Sequence, residues 1–141
     1  MAHGVFLHRA RERNMADRFE VDSSGTTAYH VGEAMDRRAA AELQHHGISF
    51  SNNARGFRNR NAGSYDLILA MDRSNYESLR RALPSSLHDR IRLFRSFDPE
   101  GSETAEVPDP WYGGRQGFVD VYTMIDRTVE AILDTYTERV S

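Results

Sequence analysis

The chain has 141 residues, which is enough for one domain with a hydrophobic core of its own. With 39% hydrophobic and 28% charged residues, its composition is that of a globular domain and excludes a disordered chain. A formal net charge of -3 argues against nucleic acid as the main partner, and the absence of cysteine excludes a disulfide, a thiolate nucleophile and a cysteine-ligated metal within these residues.

The first predicted element is an amphipathic helix over residues 1–13, because its apolar residues, Val5 and Phe6 among them, are spaced for one helical face. No residue ahead of it caps the amides of its first turn, so the chain is expected to begin inside a helix. Residues 19–22 then alternate apolar and polar, which predicts a strand. The hydroxyl-rich turn at 23–27 follows it, where a ligand could bind.

A second helix is predicted from about Asp36 to His46, with Ala39, Ala40 and Leu43 facing inward. Gly47 is expected to end it in the left-handed conformation.

His45 and His46 lie in the last turn of that helix, where the helix dipole favours imidazolium. We recognise no acidic or histidine partner one helical turn away, and neighbouring helical side chains point in different directions. The two histidines are therefore predicted to be structural rather than metal ligands.

Residues 52–64 are rich in Asn, Arg and Gly and are predicted to form a loop with at most one irregular turn. Leu67–Met71 is a continuous apolar run of strand length, as expected of a strand buried on both faces of a parallel sheet. Asp72 follows at its carboxyl end and is interpreted as a helix cap rather than a catalyst. Ser74 and Glu77 of the next helix are spaced as a capping box.

A third strand is predicted at Ile91–Phe94, followed by a last helix with an apolar stripe. The stripe comprises Phe118, Val121, Tyr122, Ile125, Val129, Ile132 and Leu133. Alternating strand and helix patterns predict a single α/β domain with a parallel sheet and right-handed crossovers. No apolar run is long enough to span a membrane and no secretory signal is recognised, so a cytoplasmic location without membrane partners is expected.

The segment from Val107 to Gly114 holds one carboxylate, that of Asp109, between two prolines and beside Trp111 and Tyr112. The prolines restrict the backbone on both sides of Asp109, so the carboxylate is held in place beside a flat apolar wall. Such rigidity suits a general acid, which must stay within hydrogen-bonding reach of a leaving group. A tight turn whose aromatic residues pack on the core is the alternative interpretation.

Three stretches occur in a fixed order: Asp22-Ser23-Ser24-Gly25-Thr26 with Tyr29-His30, then Asp66-Leu67-Ile68-Leu69-Ala70-Met71-Asp72, and then Asp109-Pro110-Trp111-Tyr112-Gly113. Together they resemble the low-molecular-weight protein tyrosine phosphatases. Met1-Ala2 also matches the residues that follow the family's phosphate loop. The resemblance covers nearly the whole chain and implies a doubly wound parallel sheet with the family strand order 2-1-3-4.

The family hydrolyses a phosphotyrosine ester through a covalent cysteinyl-phosphate, without a cofactor or a metal. The resemblance implies that Asp109 is the general acid, which protonates the leaving phenolate and then activates water. It places Trp111 and Tyr112 on one wall of the cleft, with Tyr29 and His30 on the facing lip. Flat walls suit a flat substrate ring.

Two further residues are implied to support the phosphate loop from behind. Ser23 would hydrogen-bond to its backbone, and Asn52 stands where the family often has histidine. Because the stretch from Arg55 to Ser64 departs from the family pattern, support of the site on that side differs from the family's.

The largest departure is that the family's C-x(5)-R-S phosphate loop, and the strand before it, are absent. We therefore expect one N-terminally incomplete domain over residues 1–141, without its first, central strand and without the nucleophile. The 141 residues alone are expected to be inactive. With the phosphate loop restored, the substrate would be a phosphotyrosine protein or a small aryl phosphate, and the full-length product would be an enzyme.

Two other hypotheses stay open: a non-catalytic interaction or regulatory descendant of the family, and a relative with thiol-dependent chemistry such as arsenate reduction. The sheet bears on the choice between truncation and a genuine non-catalytic protein. A retained family arrangement would leave residues 19–22 and 67–71 separated by two strand spacings, roughly 9 to 10 Å. We expect this separation rather than direct pairing, because short loops tether both segments to packed helices.

Overall fold

The computed structural model describes residues 1–23, 37–49, 59–108 and 114–140. In these ranges the helices and strands are α1 (Ala2–Glu12), α2 (Arg37–His45), β1 (Ile68–Ala70), α3 (Arg73–Ala82), β2 (Ile91–Leu93) and α4 (Gly114–Val140). Short 3₁₀ turns cover Ala16–Arg18, Asn59–Ser64, Ser85–Arg90 and Phe94–Phe97. Every helix predicted from apolar spacing is present, and the strand predictions at 67–71 and 91–94 are confirmed.

The sheet of the described residues has two strands, β1 and β2, which pair in parallel. Ile68 lies opposite Ile91, and Ala70 lies opposite Leu93. α3 makes the connection between the two strands, as parallel pairing requires. The α/β class with a parallel sheet is thus confirmed for this part of the chain.

The strand predicted at 19–22 is wrong for the described structure. Phe19 is extended, with φ -128 and ψ 135, but no strand is formed and Val21 makes no backbone hydrogen bond to the 67–71 run. An extended segment becomes a strand only when a neighbour pairs with its N–H and C=O groups. Phe19 is held instead by edge-on ring contacts with Phe6 and Tyr136, at centroid distances of 5.1 and 6.0 Å.

Side chains alternate between the two faces of the sheet, which separates two apolar clusters. Ile68 and Ala70 face a smaller cluster completed by β2 and by Leu79 of α3. Leu69 and Met71 pack instead against the larger cluster, which α1, α2 and α4 cover. Each face of β1 therefore has its own core, as a doubly covered parallel strand needs.

α4 supplies the centre of the larger cluster, and all seven residues of the predicted stripe are buried. Val129 and Leu133 have no exposed surface, and α1 contributes Val5 and Ala10, which are equally enclosed. The helical spacing of apolar residues thus predicted this face of the core correctly.

Ion pairs tie the polar sides of α1 and α4 together. Arg9 Nε donates to Asp126 Oδ1 at 2.8 Å, and Arg13 Nη1 donates to Asp134 Oδ1 at 2.8 Å. Arg13 also pairs with Glu130. The pairs add polar contacts to the apolar packing of α1 on α4.

The end of α2 confirms one prediction and corrects another. Gly47 has φ +76 and ends the helix in the left-handed conformation, as predicted. The statement that His46 lacks an acidic partner one turn away is wrong, because Glu42 lies four residues earlier and its Oε1 is 2.8 Å from His46 Nε2. The His46 ring also stacks on Tyr122 of α4 at 3.7 Å, so the histidine is structural.

α3 begins at a side-chain cap. Asp72 is extended, and its Oδ1 accepts a hydrogen bond of 2.7 Å from the amide of Asn75. Asp72 is therefore a cap, as predicted, but the capping box at Ser74 and Glu77 is wrong by two positions, because the helix already includes Ser74.

Replacing the cap is expected to have a small but measurable cost. Asp72→Ala should lower the free energy of unfolding by about 1 kcal/mol, because an orphan amide loses its acceptor. Urea denaturation measures this loss. The matched control is Ser74→Ala at the exposed neighbouring site, which should change stability by less than about 0.5 kcal/mol. A larger loss at Ser74 than at Asp72 would place the cap where the sequence pattern put it.

Candidate active site

Most of the candidate site lies outside the described residues. This holds for the proposed acid Asp109, for Trp111 and Tyr112 beside it, and for Tyr29, His30 and Asn52. Ser23 and the segments that lead to and from the acid loop (residues 107–113) are described. The described part of the site therefore consists of the residues that hold these neighbouring segments in place.

Ser23 lies beside the first turn of α1. A hydrogen bond of 2.8 Å joins Ser23 Oγ to His3 Nδ1, and the Ser23 amide donates to Asp22 Oδ1 at 2.9 Å. Asp22 also accepts a 3.0 Å hydrogen bond from the hydroxyl of Tyr65, just ahead of β1. These contacts bring the end of the 19–23 segment, the start of α1 and the approach to β1 to one place.

Val107, at the start of the acid loop, lies at the carboxyl end of β1. The amide of Val107 donates to the carbonyl of Met71 at 2.8 Å, directly after the strand. The Glu106 carboxylate accepts from the amide of Arg73 at 2.7 Å, which satisfies one of the free amides at the start of α3. Ligands of open parallel sheets bind at this end of the strands.

A buried carboxylate, that of Asp98, is joined through Arg95 to the backbone carbonyl of Glu106. Its side chain has no exposed surface and accepts two hydrogen bonds from Arg127 of α4, at 2.7 and 2.9 Å. It also accepts from Arg95 Nε at 3.0 Å and from the amide of Glu100 at 2.9 Å. The hydrogen bonds from Arg127, the Glu100 amide and Arg95 hold the pKa of Asp98 well below its usual range, so it is ionised at neutral pH.

Sequence reasoning missed this cluster. The spacing of Arg95 and Asp98, three residues apart, was a local signal for a pair across one helical turn. The bond between Asp98 and Arg127 spans 29 residues and has no signal of that kind.

A cleft of about 480 Å³ opens beside these supports. Among the described residues it is lined by Asp72, Arg95, Glu106, Val107, Pro108 and Met124. These side chains supply two carboxylates and one guanidinium beside apolar surface, just before Asp109 in the sequence. Within the described ranges, no three His, Asp or Glu side chains are grouped to hold a metal ion. None of the helices in these ranges is long and apolar enough to cross a membrane.

The parallel strands, the crossover helix and the loop at the strand ends define a fold shared with small tyrosine phosphatases. The structure superposes on a protein tyrosine phosphatase from Entamoeba histolytica with a TM-score of 0.92 and 27% identity, covering 99% of this chain and 89% of that one. The family model for low molecular weight phosphotyrosine protein phosphatase matches residues 1–141, and the chain belongs to this family.

Curated relatives agree with this assignment. A low molecular weight protein-tyrosine-phosphatase from Streptomyces coelicolor is 35% identical over 142 residues, covering 99% of this chain and 87% of the relative. The low molecular weight phosphotyrosine protein phosphatase of Saccharomyces cerevisiae is 32% identical over 120 residues, covering 84% of this chain and 74% of the relative.

Proposed function

We propose that this chain is a protein-tyrosine-phosphatase domain that carries the general acid, Asp109, but no nucleophile. The observation that carries the proposal is a family match over residues 1–141 in a chain that contains no cysteine. The chemistry of the family needs a thiolate to attack phosphorus. An active form must receive that thiolate and its phosphate loop from residues that are not among these 141.

The substrate class follows from the residues that the resemblance places around the phosphate. Trp111 and Tyr112 form one flat wall, and Tyr29 and His30 form the facing lip, so a phosphorylated aromatic ring fits between them. The substrate is a phosphotyrosine protein or a small aryl phosphate. In an active form, Ser23 and Asn52 would support the phosphate loop from behind through hydrogen bonds.

Asp109 serves as an acid and a base in turn. It protonates the phenolate that leaves when the P–O bond breaks, and it then takes a proton from the water that hydrolyses the phosphoenzyme. It cannot replace the missing nucleophile, because it lies on the leaving-group side of the phosphate. The hydrogen bond from Val107 to Met71 supports a site at this edge of the sheet, since it holds the residue two positions before Asp109 at the carboxyl end of β1.

The 141-residue chain is expected to show no turnover of para-nitrophenyl phosphate above the uncatalysed background. Neither a thiolate nor an anion-binding loop with its arginine is present to attack or hold the phosphate. A continuous absorbance assay at neutral pH checks this with the purified chain. Turnover that disappears in Asp109→Ala would overturn the proposal, since it would show that these residues contain a nucleophile.

The alternative function is a non-catalytic interaction module, which the absence of cysteine also favours. The two functions differ in the DNA just ahead of the Met1 codon. An in-frame strand followed by C-x(5)-R-S supports the phosphatase, whereas a stop codon close to Met1 supports the interaction module.

A further inference from the structure

We infer that Arg95 is a positioning residue for the acid loop, because its guanidinium joins the buried carboxylate of Asp98 to the backbone that leads to Asp109. The inference rests on the proposed function only where it names Asp109 as the acid. Arg95 itself is assigned no contact with the substrate.

The guanidinium of Arg95 uses two different nitrogens for two different partners. Its Nε donates to Asp98 Oδ2 at 3.0 Å, and its Nη1 donates to the carbonyl oxygen of Glu106 at 2.9 Å. The side chain is 15% exposed. Because a guanidinium is planar and rigid, fixing Nε on the carboxylate also fixes where Nη1 points.

Asp98 is a firm anchor for this guanidinium. Two hydrogen bonds from Arg127 bind it to α4, and the amide of Glu100 holds it from a third direction. Fork-shaped pairs of arginine with carboxylate are stronger and more directional than single hydrogen bonds. The position of Arg95 is therefore set by α4, through Asp98, as well as by its own short turn, in which the Asp98 amide donates to the Arg95 carbonyl at 3.0 Å.

The carbonyl of Glu106 and the amide of Val107 belong to one peptide unit. Arg95, which follows β2, binds the carbonyl, and the carbonyl of Met71, which follows β1, binds the amide at 2.8 Å. Both polar groups of this planar unit are thus held from opposite sides, so its plane cannot rotate freely. Pro108 comes next and has a fixed φ, and Val107 before it is restricted to extended geometry, so the contacts at residues 106 and 107 narrow the directions that the chain can take beyond Pro108.

The substitution that tests this is Arg95→Lys in the 141-residue chain. Lysine keeps a positive charge beside Asp98, but its single ammonium cannot reproduce the rigid fork that reaches both Asp98 and Glu106. We expect the Val107 amide to exchange with deuterium about ten- to a hundredfold faster, measured relative to the Val129 amide in the buried part of α4. We also expect Trp111, the single tryptophan of the chain, to be quenched more strongly by acrylamide.

The matched control is Arg9→Lys. Arg9 also binds a carboxylate of α4 through two nitrogens, at 2.8 and 3.3 Å to Asp126, but in the described ranges it has no bond to residues 106–108. The Arg9→Lys substitution should leave unchanged both the ratio of the Val107 to the Val129 exchange rate and the quenching of Trp111. If Arg95→Lys does not fold, Arg95→Gln is measured instead, because glutamine can still bind Asp98 but is too short to reach Glu106 as well.

Equal exchange ratios and equal quenching in the Arg95 and Arg9 variants would overturn the inference. Neither readout requires turnover, so a failure here is distinct from a failure of the proposed function, which would show in the assays of Asp109. Arg95→Lys could raise the exchange and quenching while an Asp109 variant keeps its activity. This result would retain the positioning role of Arg95 and exclude Asp109 as the general acid.

Discussion

Asp109→Ala is expected to lower kcat by about 10² to 10⁴ in a chimera that carries a relative's first strand and C-x(5)-R-S loop ahead of Met1. This is the usual contribution of a positioned general acid. The chimera is needed because the chain contains no cysteine to attack phosphorus. Steady-state kinetics with an alkyl-substituted phenyl phosphate, whose leaving group is a poor one, measure the effect.

The loss should shrink as the leaving group improves, because a stable phenolate leaves without being protonated. A series of substituted phenyl phosphates tests this dependence. Asp89→Ala, which removes an exposed carboxylate after α3, serves as the control and should leave kcat unchanged. An equal loss for good and poor leaving groups would remove the acid role from Asp109.

Asp98→Asn is expected to lower the free energy of unfolding by roughly 3 kcal/mol, which corresponds to about 10 °C in Tm. The substitution keeps the shape of the side chain but leaves Arg95 and Arg127 without the charge that both bind. This loss of unfolding free energy is at the low end of what breaking a buried ion pair costs, because the side chains of Arg95 and Arg127 keep some exposed surface. Thermal and urea denaturation measure it.

Two comparisons check that the loss comes from the buried charge. Asp134→Asn breaks a pair of Arg13 in which the carboxylate side chain is 69% exposed, and it should cost less than about 1 kcal/mol. The difference between Asp98→Asn and the original chain should also narrow in acid. Because the native pKa of Asp98 is depressed, its stabilising effect is complete above the unfolded pKa, near 4, and is lost as the pH falls below it. A difference that stays constant down to pH 2 would exclude the ionised carboxylate as its cause.

The elements that the sequence predicted well are those whose signal is local. The stripe of α4 repeats at helical spacing from Phe118 to Leu133, so its buried face could be recognised without knowing what covers it. The apolar run of β1, the short strand pattern of β2 and the glycine after α2 were recognisable for the same reason. The bond between Glu42 and His46 was equally local and needed only a count of four residues.

The segment at 19–22 shows where local patterns stop being sufficient. Alternation of apolar and polar residues predicts a segment that is extended and buries one face. Phe19 has an extended backbone, and its ring is partly buried against the larger cluster. The alternation does not show whether a neighbouring strand is present to pair with, and in the described residues none pairs with Val21. Pairing is a property of two segments, so one segment's pattern cannot settle it.

The candidate site divides in the same way. Its chemical residues were named through ordered motifs, and their roles remain predictions. The structure places one of them, Ser23, beside the first turn of α1. The supports of the acid loop were not foreseen, because Arg127 is one of 18 basic residues and nothing near it in sequence marks it as the partner of Asp98. Long-range pairs of this kind depend on how α4 lies over the end of β2, which only the fold determines.

The separation of the two apolar clusters by the sheet determines where the sequence of this domain can vary. The smaller cluster holds α3 against the strands, and among the described residues α3 bonds to the segment before Pro108 only through its first turn, from Arg73 to Glu106. The face that carries α4 holds Asp98, Arg127 and thus the peptide ahead of Pro108. A lineage of such domains could therefore exchange residues in the later turns of α3 with little effect on the orientation of the acid, while a shift of α4 would alter it.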